Sequence, residues 1–138
     1  MKKIKTNICI IGDTATECIA ADSERTAFDG FSFVCCRINE EMTFNLHVVD
    51  EGNVSYVVIE NRREKLEIRA NAYIDMTSDF RFVRNAGCEH RLLKDEEGKE
   101  YYKLLSVCDV CDKNADLPNG AKKMGEFSNL FVLKGELK

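Results

Sequence analysis

From Gly30 onward the chain repeats one pattern, in which short segments rich in β-branched and aromatic residues are each closed by a turn-forming cluster. "FSFVCCRI", "MTFNLHVV", "NVSYVVIE", "KLEIRANAYID" and "FRFV" are parted by "NEE", "DEG", "NRRE" and "MTSD". This succession limits the fold more than any other feature. Strands joined by such short connections predict an antiparallel sheet: a meander, a sandwich or a partly open barrel. Parallel winding asks for repeated helical crossovers, and the sequence offers a single candidate, at 13–28. There Asp13 or Thr14 can cap a helix with Ala15, Cys18 and Ile19 on one face, while a strand through "ECIAA" competes. The expected class is mainly β with one possible N-terminal helix, and α+β is the alternative.

The remaining segments fit that scheme. "KIKTNICII" reads as a half-buried strand with Ile4, Thr6, Ile8 and Ile10 on one face. "VVDEGNVSYVV" reads as a hairpin, since Asp50, Gly52 and Asn53 supply turn chemistry between two strand patterns. "DKNADLPNGAKKMGE" reads as an irregular loop, and "FSNLFVLKGEL" as a last strand that returns to the sheet. A chain of 138 residues fits one domain, 1–138, because dividing it leaves two undersized cores.

Charge and hydropathy exclude some functions. The net charge of −4 is spread along the chain, without the basic excess of a phosphate-tracking surface. The mixed run of Arg62, Arg63, Lys65 and Arg69 reads as a solvated face. No apolar run approaches the roughly 20 residues that a bilayer span requires. The run from Ile8 to Ile11 ends at Gly12 and Asp13, too soon for a secretory signal. The expected location is the cytoplasm, of the chain's own cell or of a host. In that reducing compartment seven cysteines, an odd number, point to metal or redox chemistry before a disulfide framework.

Four of the candidate ligands bracket one further hairpin, "GCEHRLLKDEEGKEYYKLLSVCDVC", residues 87–111. Asp95-Glu96-Glu97-Gly98 suits a type I turn with Gly98 left-handed, followed by Lys99. Pairing Asp95 with Lys99 sets Cys88 opposite Ser106, and a looser register sets it opposite Cys108. Strand alternation puts Cys88, His90 and Cys108 on one face in both registers, and Cys111 follows in a tight Cys-x-x-Cys turn. Three thiolates and an imidazole suit tetrahedral zinc in a closed structural site. The spacing C-x-H-x17-C-x2-C approaches the zinc-ribbon template and departs from it in the first half. The expectation is a structural zinc held by Cys88, His90, Cys108 and Cys111 in a zinc-ribbon-like subdomain at 87–112. Iron accepts the same donors. Coincidental thiols are the plainer reading. A redox pair at Cys108 and Cys111 is opposed by Asp109 and Asp112, whose charges raise a thiol pKa.

Other motifs carry less. "CIIGDTATE" lacks the further glycines and the Gly-Lys pair of nucleotide-binding turns. Cys35 and Cys36 are adjacent in a strand and face opposite ways, and His47 is the only imidazole left to form a dyad with either. Cys9 and Cys18 read as small apolar residues. Asp22, Glu24 and Asp29 match no calcium loop. Phe31, Phe33, Phe44, Tyr56, Phe80 and Phe82 read as core.

With no convincing catalytic constellation, the expected function is a non-enzymatic, zinc-stabilised module that binds another protein as adaptor, assembly component or inhibitor. A nucleic-acid-binding zinc ribbon is the first alternative. It would present Arg91, Lys94, Lys99 and Lys103 with Tyr101 and Tyr102, against Glu89, Asp95, Glu96, Glu97 and Glu100 nearby. An enzyme with an open zinc site, in which Glu89 serves as base, or with thiol-based chemistry is the second.

Overall fold

Ile8-Cys9-Ile10-Ile11 has no polar face to give to water, and the fold buries this run on both sides. All four residues are at most 2% exposed. They lie in β1 (Lys2–Gly12), a central strand of a mixed sheet. The computed structural model describes residues 2–12, 25–27, 31–37, 43–50, 52–60, 65–108 and 120–133. Of the segment read as helix or strand, only 25–27 falls within them, as a strand; the proposed helix cap at Asp13 or Thr14 lies outside the described residues.

The strands are β2 (Arg25–Ala27), β3 (Phe31–Arg37), β4 (Thr43–Asp50), β5 (Asn53–Glu60) and β6 (Lys65–Met76), then β7 (His90–Lys94), β8 (Glu100–Leu104), β9 (Lys122–Lys123) and β10 (Leu130–Val132). Among the described residues one short helix, α1, spans Arg81–Asn85. Eight strands form one sheet in the order β2-β3-β1-β6-β10-β9, with β5 and then β4 also joined through β6. β7 and β8 form a separate two-stranded sheet. The chain is mainly β, as the repeated pattern predicts.

The antiparallel expectation is corrected at the centre of the sheet. β1 runs parallel to both β3 and β6, and β6 runs parallel to β10. The expectation took helical crossovers to be the only route to parallel pairing. Here β-structure makes the return: the β4–β5 hairpin stands between β3 and β6, while α1, the β7–β8 hairpin and β9 stand between β6 and β10. The continuous apolar run in β1 is the signature of a strand covered on both faces. Cys9 and Ile11 therefore join the main core with Tyr73 and Leu130, and Ile8 and Ile10 join a second cluster with Ile74 and Phe131.

"FRFV" is also corrected, from strand to the start of α1. The preceding strand dictates the change. Asp75, at the end of β6, accepts the Val83 amide at 2.9 Å, and Thr77 Oγ1 accepts the Arg81 amide at 2.8 Å. These bonds satisfy N–H groups that a first helical turn leaves without partners. Burial pushes the Asp75 carboxyl up to about 6, against the opposing pull of these hydrogen bonds. Phe82 and Val83 turn inward with no exposure.

β6 carries a fork on the edge away from β1. Its first residues pair with β5 as far as Ile68↔Val57, and its last pair with β10 from Tyr73↔Leu130. Between these neighbours the Tyr73 hydroxyl accepts the Ala70 amide at 2.9 Å and faces the carbonyls of Ser55 and Ile68 at 3.2 and 3.3 Å. The Asn129 carboxamide completes the seal, accepting from Val54 N–H and donating to Val54 C=O, each at 2.9 Å. Two side chains thus replace the missing strand. Among the described residues no helix is long and apolar enough to cross a membrane.

Candidate functional site

The β7–β8 hairpin takes the tighter of the two registers, His90↔Leu104 through Lys94↔Glu100. Its turn follows the sequence closely. Gly98 is left-handed at φ 82°, its N–H donates to Asp95 O, and Asp95 Oδ1 accepts the amides of Glu97 and Lys99 at 2.9 Å.

Cys88 does not share a face with His90, because it belongs to the end of α1 and not to β7. Gly87 is left-handed at φ 93°, its N–H donates to Arg84 O, and the Cys88 N–H donates to Val83 O. These two bonds make a Schellman cap, which favours glycine at this position and an apolar residue after it. Cys88 is that residue, 1% exposed among Val83, Phe82 and the rest of the main core. Desolvation first, then the charges of Glu126 and Asp75, push its thiol up to about 12. His90 is exposed, with Nδ1 2.8 Å from the Cys88 carbonyl oxygen and its ring edge-on to Tyr102. Cys108 is half-buried, and its N–H donates to Lys123 O at 2.8 Å. Cys111 lies outside the described residues. Among the described residues no three metal-binding side chains gather in one place.

The other candidates separate as well. β3, which holds Cys35 and Cys36, and β4, which holds His47, have β1, β6 and β5 between them in the sheet. Asp22, Glu24 and Asp29 lie outside the described residues. Arg69 lies over Tyr56, 4.6 Å from the ring centroid, and pairs with Glu67.

What the hairpin does present is apolar surface and an open edge. Leu92, Tyr101 and Leu105 are the exposed large hydrophobic residues among those described, at 51%, 47% and 43%, and all belong to the hairpin and its stem. The inner face is fixed to the body: Arg84 stacks 3.7 Å from the Tyr102 ring centroid while holding Asp79, and Leu104 packs on the main core. The stem is fixed by the Val107↔Met124 bridge.

Asp95 and Lys99 form a hydrogen-bonded pair, and Leu105 N–H donates to Glu89 O. Alternation along an antiparallel ladder then turns the N–H and C=O of Tyr102 and Leu104 away from β7. No backbone group of the described residues meets them. A cleft of about 500 Å³ runs along this edge, lined by residues 101–104 on one side and by Lys122 and Val132 on the other. Four consecutive strand residues cannot line a pocket on one face, so the cleft follows the edge itself. Phe80 also lines it. It is a non-glycine residue held left-handed at φ 56°, ψ 33°. The hairpin and its turn were legible in the sequence; the cleft was not, since its far wall comes from the strands at the other end of a long connection. No protein-family model, no curated protein and no solved structure matches the chain.

Proposed function

We propose that the chain is a non-enzymatic protein-binding module whose docking surface is the β7–β8 hairpin. One observation carries this reading: the large apolar side chains left exposed among the described residues all fall on one hairpin, Tyr101 and Leu105 on its outer face and Leu92 on the face of Tyr102, to either side of a strand edge that no described backbone group meets. Apolar side chains left exposed on the two faces of one hairpin suit a partner that wraps its edge, and an open edge is a template for a partner strand. The buried Asp75 supplies no competing active site, because its oxygens are taken by amides and by the Thr77 hydroxyl. Nucleic acid is a poorer fit, since Asp95, Glu96, Glu97 and Glu100 crowd the exposed turn.

The test is affinity capture with wild type and with Leu92→Ser/Tyr101→Ser/Leu105→Ser, compared by quantitative mass spectrometry at matched thermal stability. Loss of the captured partner in the variant supports the reading, and an unchanged partner set removes it. Structural zinc at Cys88, His90, Cys108 and Cys111 is a separate part of the proposal and rests on sequence spacing. One zinc per chain by elemental analysis, lost in Cys108→Ser, supports it. Seven free thiols and no metal remove it without touching the docking surface.

A further inference from the structure

Resting on the hairpin as docking surface, we infer that the β8 edge receives an extended peptide of a partner protein in which acidic side chains alternate with apolar ones. The outward N–H and C=O groups of Tyr102 and Leu104 are two residues apart, the repeat at which an added strand forms its hydrogen bonds. The cleft beside them is within the usual size range of ligand pockets, enough for a few side chains and no more. Its apolar walls, Phe80, Leu104 and Val132, accept one set of alternate side chains.

Charge selects the other set. The charged residues that line the cleft are Lys103 and Lys122, and no carboxylate is among the described lining residues, in a chain whose net charge is −4. The hairpin's acids gather instead at its turn, where they draw a basic peptide away from the edge. Phe80 is the second sign of a built site. Its left-handed backbone is rare for a bulky residue, and such conformations concentrate at ligand clamps.

The experiment is selection of a random dodecamer phage library on the full chain, followed by fluorescence anisotropy with the selected peptides as synthetic probes. The expected result is enrichment of peptides with Asp or Glu at alternate positions between apolar residues. Lys103→Glu/Lys122→Glu is expected to weaken their binding about tenfold or more, as two rim charge pairs require. N-methylation of alternate peptide amides, which removes strand hydrogen bonds, is expected to abolish it. The absence of enriched peptides, enrichment without acidic residues, or affinity unchanged in the double variant overturns the inference, as does sedimentation showing a dimer that seals the edge. If the inference fails while Leu92→Ser/Tyr101→Ser/Leu105→Ser still loses its captured partner, the docking surface stands and only the peptide chemistry falls. If capture is unaffected as well, both fall.

Discussion

β6 and β8 each lack a strand neighbour along part of one edge among the described residues, and the fold treats them in opposite ways. In β6 the gap between β5 and β10 is closed by the Tyr73 hydroxyl and the Asn129 carboxamide, which together meet the backbone of Ala70, Ile68, Ser55 and Val54. In β8 the outward groups of Tyr102 and Leu104 meet no described backbone partner, and exposed apolar side chains surround them. The first gap is part-buried against the main core, where an unpaired buried amide costs about 1–3 kcal/mol. The second faces a cleft. The difference separates an edge that the fold completes from its own side chains from one that the proposed function assigns to a partner.

The largest effect is expected at the sealed edge. Tyr73→Phe leaves the Ala70 amide without its acceptor and removes the one proton that the Ser55 and Ile68 carbonyls share, so urea denaturation should read a loss of about 1–3 kcal/mol. A loss below about 0.5 kcal/mol would mean that the fork seals in some other way.

The anchor of α1 gives a smaller, pH-dependent effect. Asp75 has a native pKa raised to about 6 from 3.8, so the native state takes up the proton first as pH falls. Its contribution to stability is full below about 4 and is lost as pH rises through 6. From pH 7 to pH 5 wild type should gain on the order of 1 kcal/mol relative to Asp75→Asn, read from paired urea midpoints.

Gly87→Ala tests the reassignment of Cys88. The site has open space for a Cβ, so the cost is the left-handed backbone alone, about 1 kcal/mol by thermal or urea unfolding. The hairpin substitutions should cost least. Leu92→Ser, Tyr101→Ser and Leu105→Ser should each cost about 1 kcal/mol or less, because about half of each side chain is already in water. They should nonetheless remove partner capture.

The sequence was most legible where structure is local. β3, β4, β5, β6 and the Asp95–Gly98 turn follow from period-two patterning and turn residues, while β1 is the expected strand but is buried on both faces and not on one. Parallel pairing was missed because it joins strands far apart in the chain, although the unbroken apolar run at 8–11 already required cover on two faces. "FRFV" misled because phenylalanine and valine favour strands, while the residues that make it helical, Asp75 and Thr77, precede it. Strand alternation carried back to Cys88 missed the helix end, although a glycine followed by an apolar residue is also how a helix stops. The fork at Tyr73 has no sequence signature, since a buried tyrosine looks the same whether or not its hydroxyl replaces a strand.

The comparison of the two edges is tested most directly by native-state hydrogen exchange, resolved by NMR on dilute protein. The Ala70 and Val54 amides are expected to exchange only with global unfolding, while Tyr102 and Leu104 exchange rapidly and become protected when a peptide or partner is added. Slow exchange at Tyr102 and Leu104 in the free monomer would contradict it, by showing that the edge is already paired.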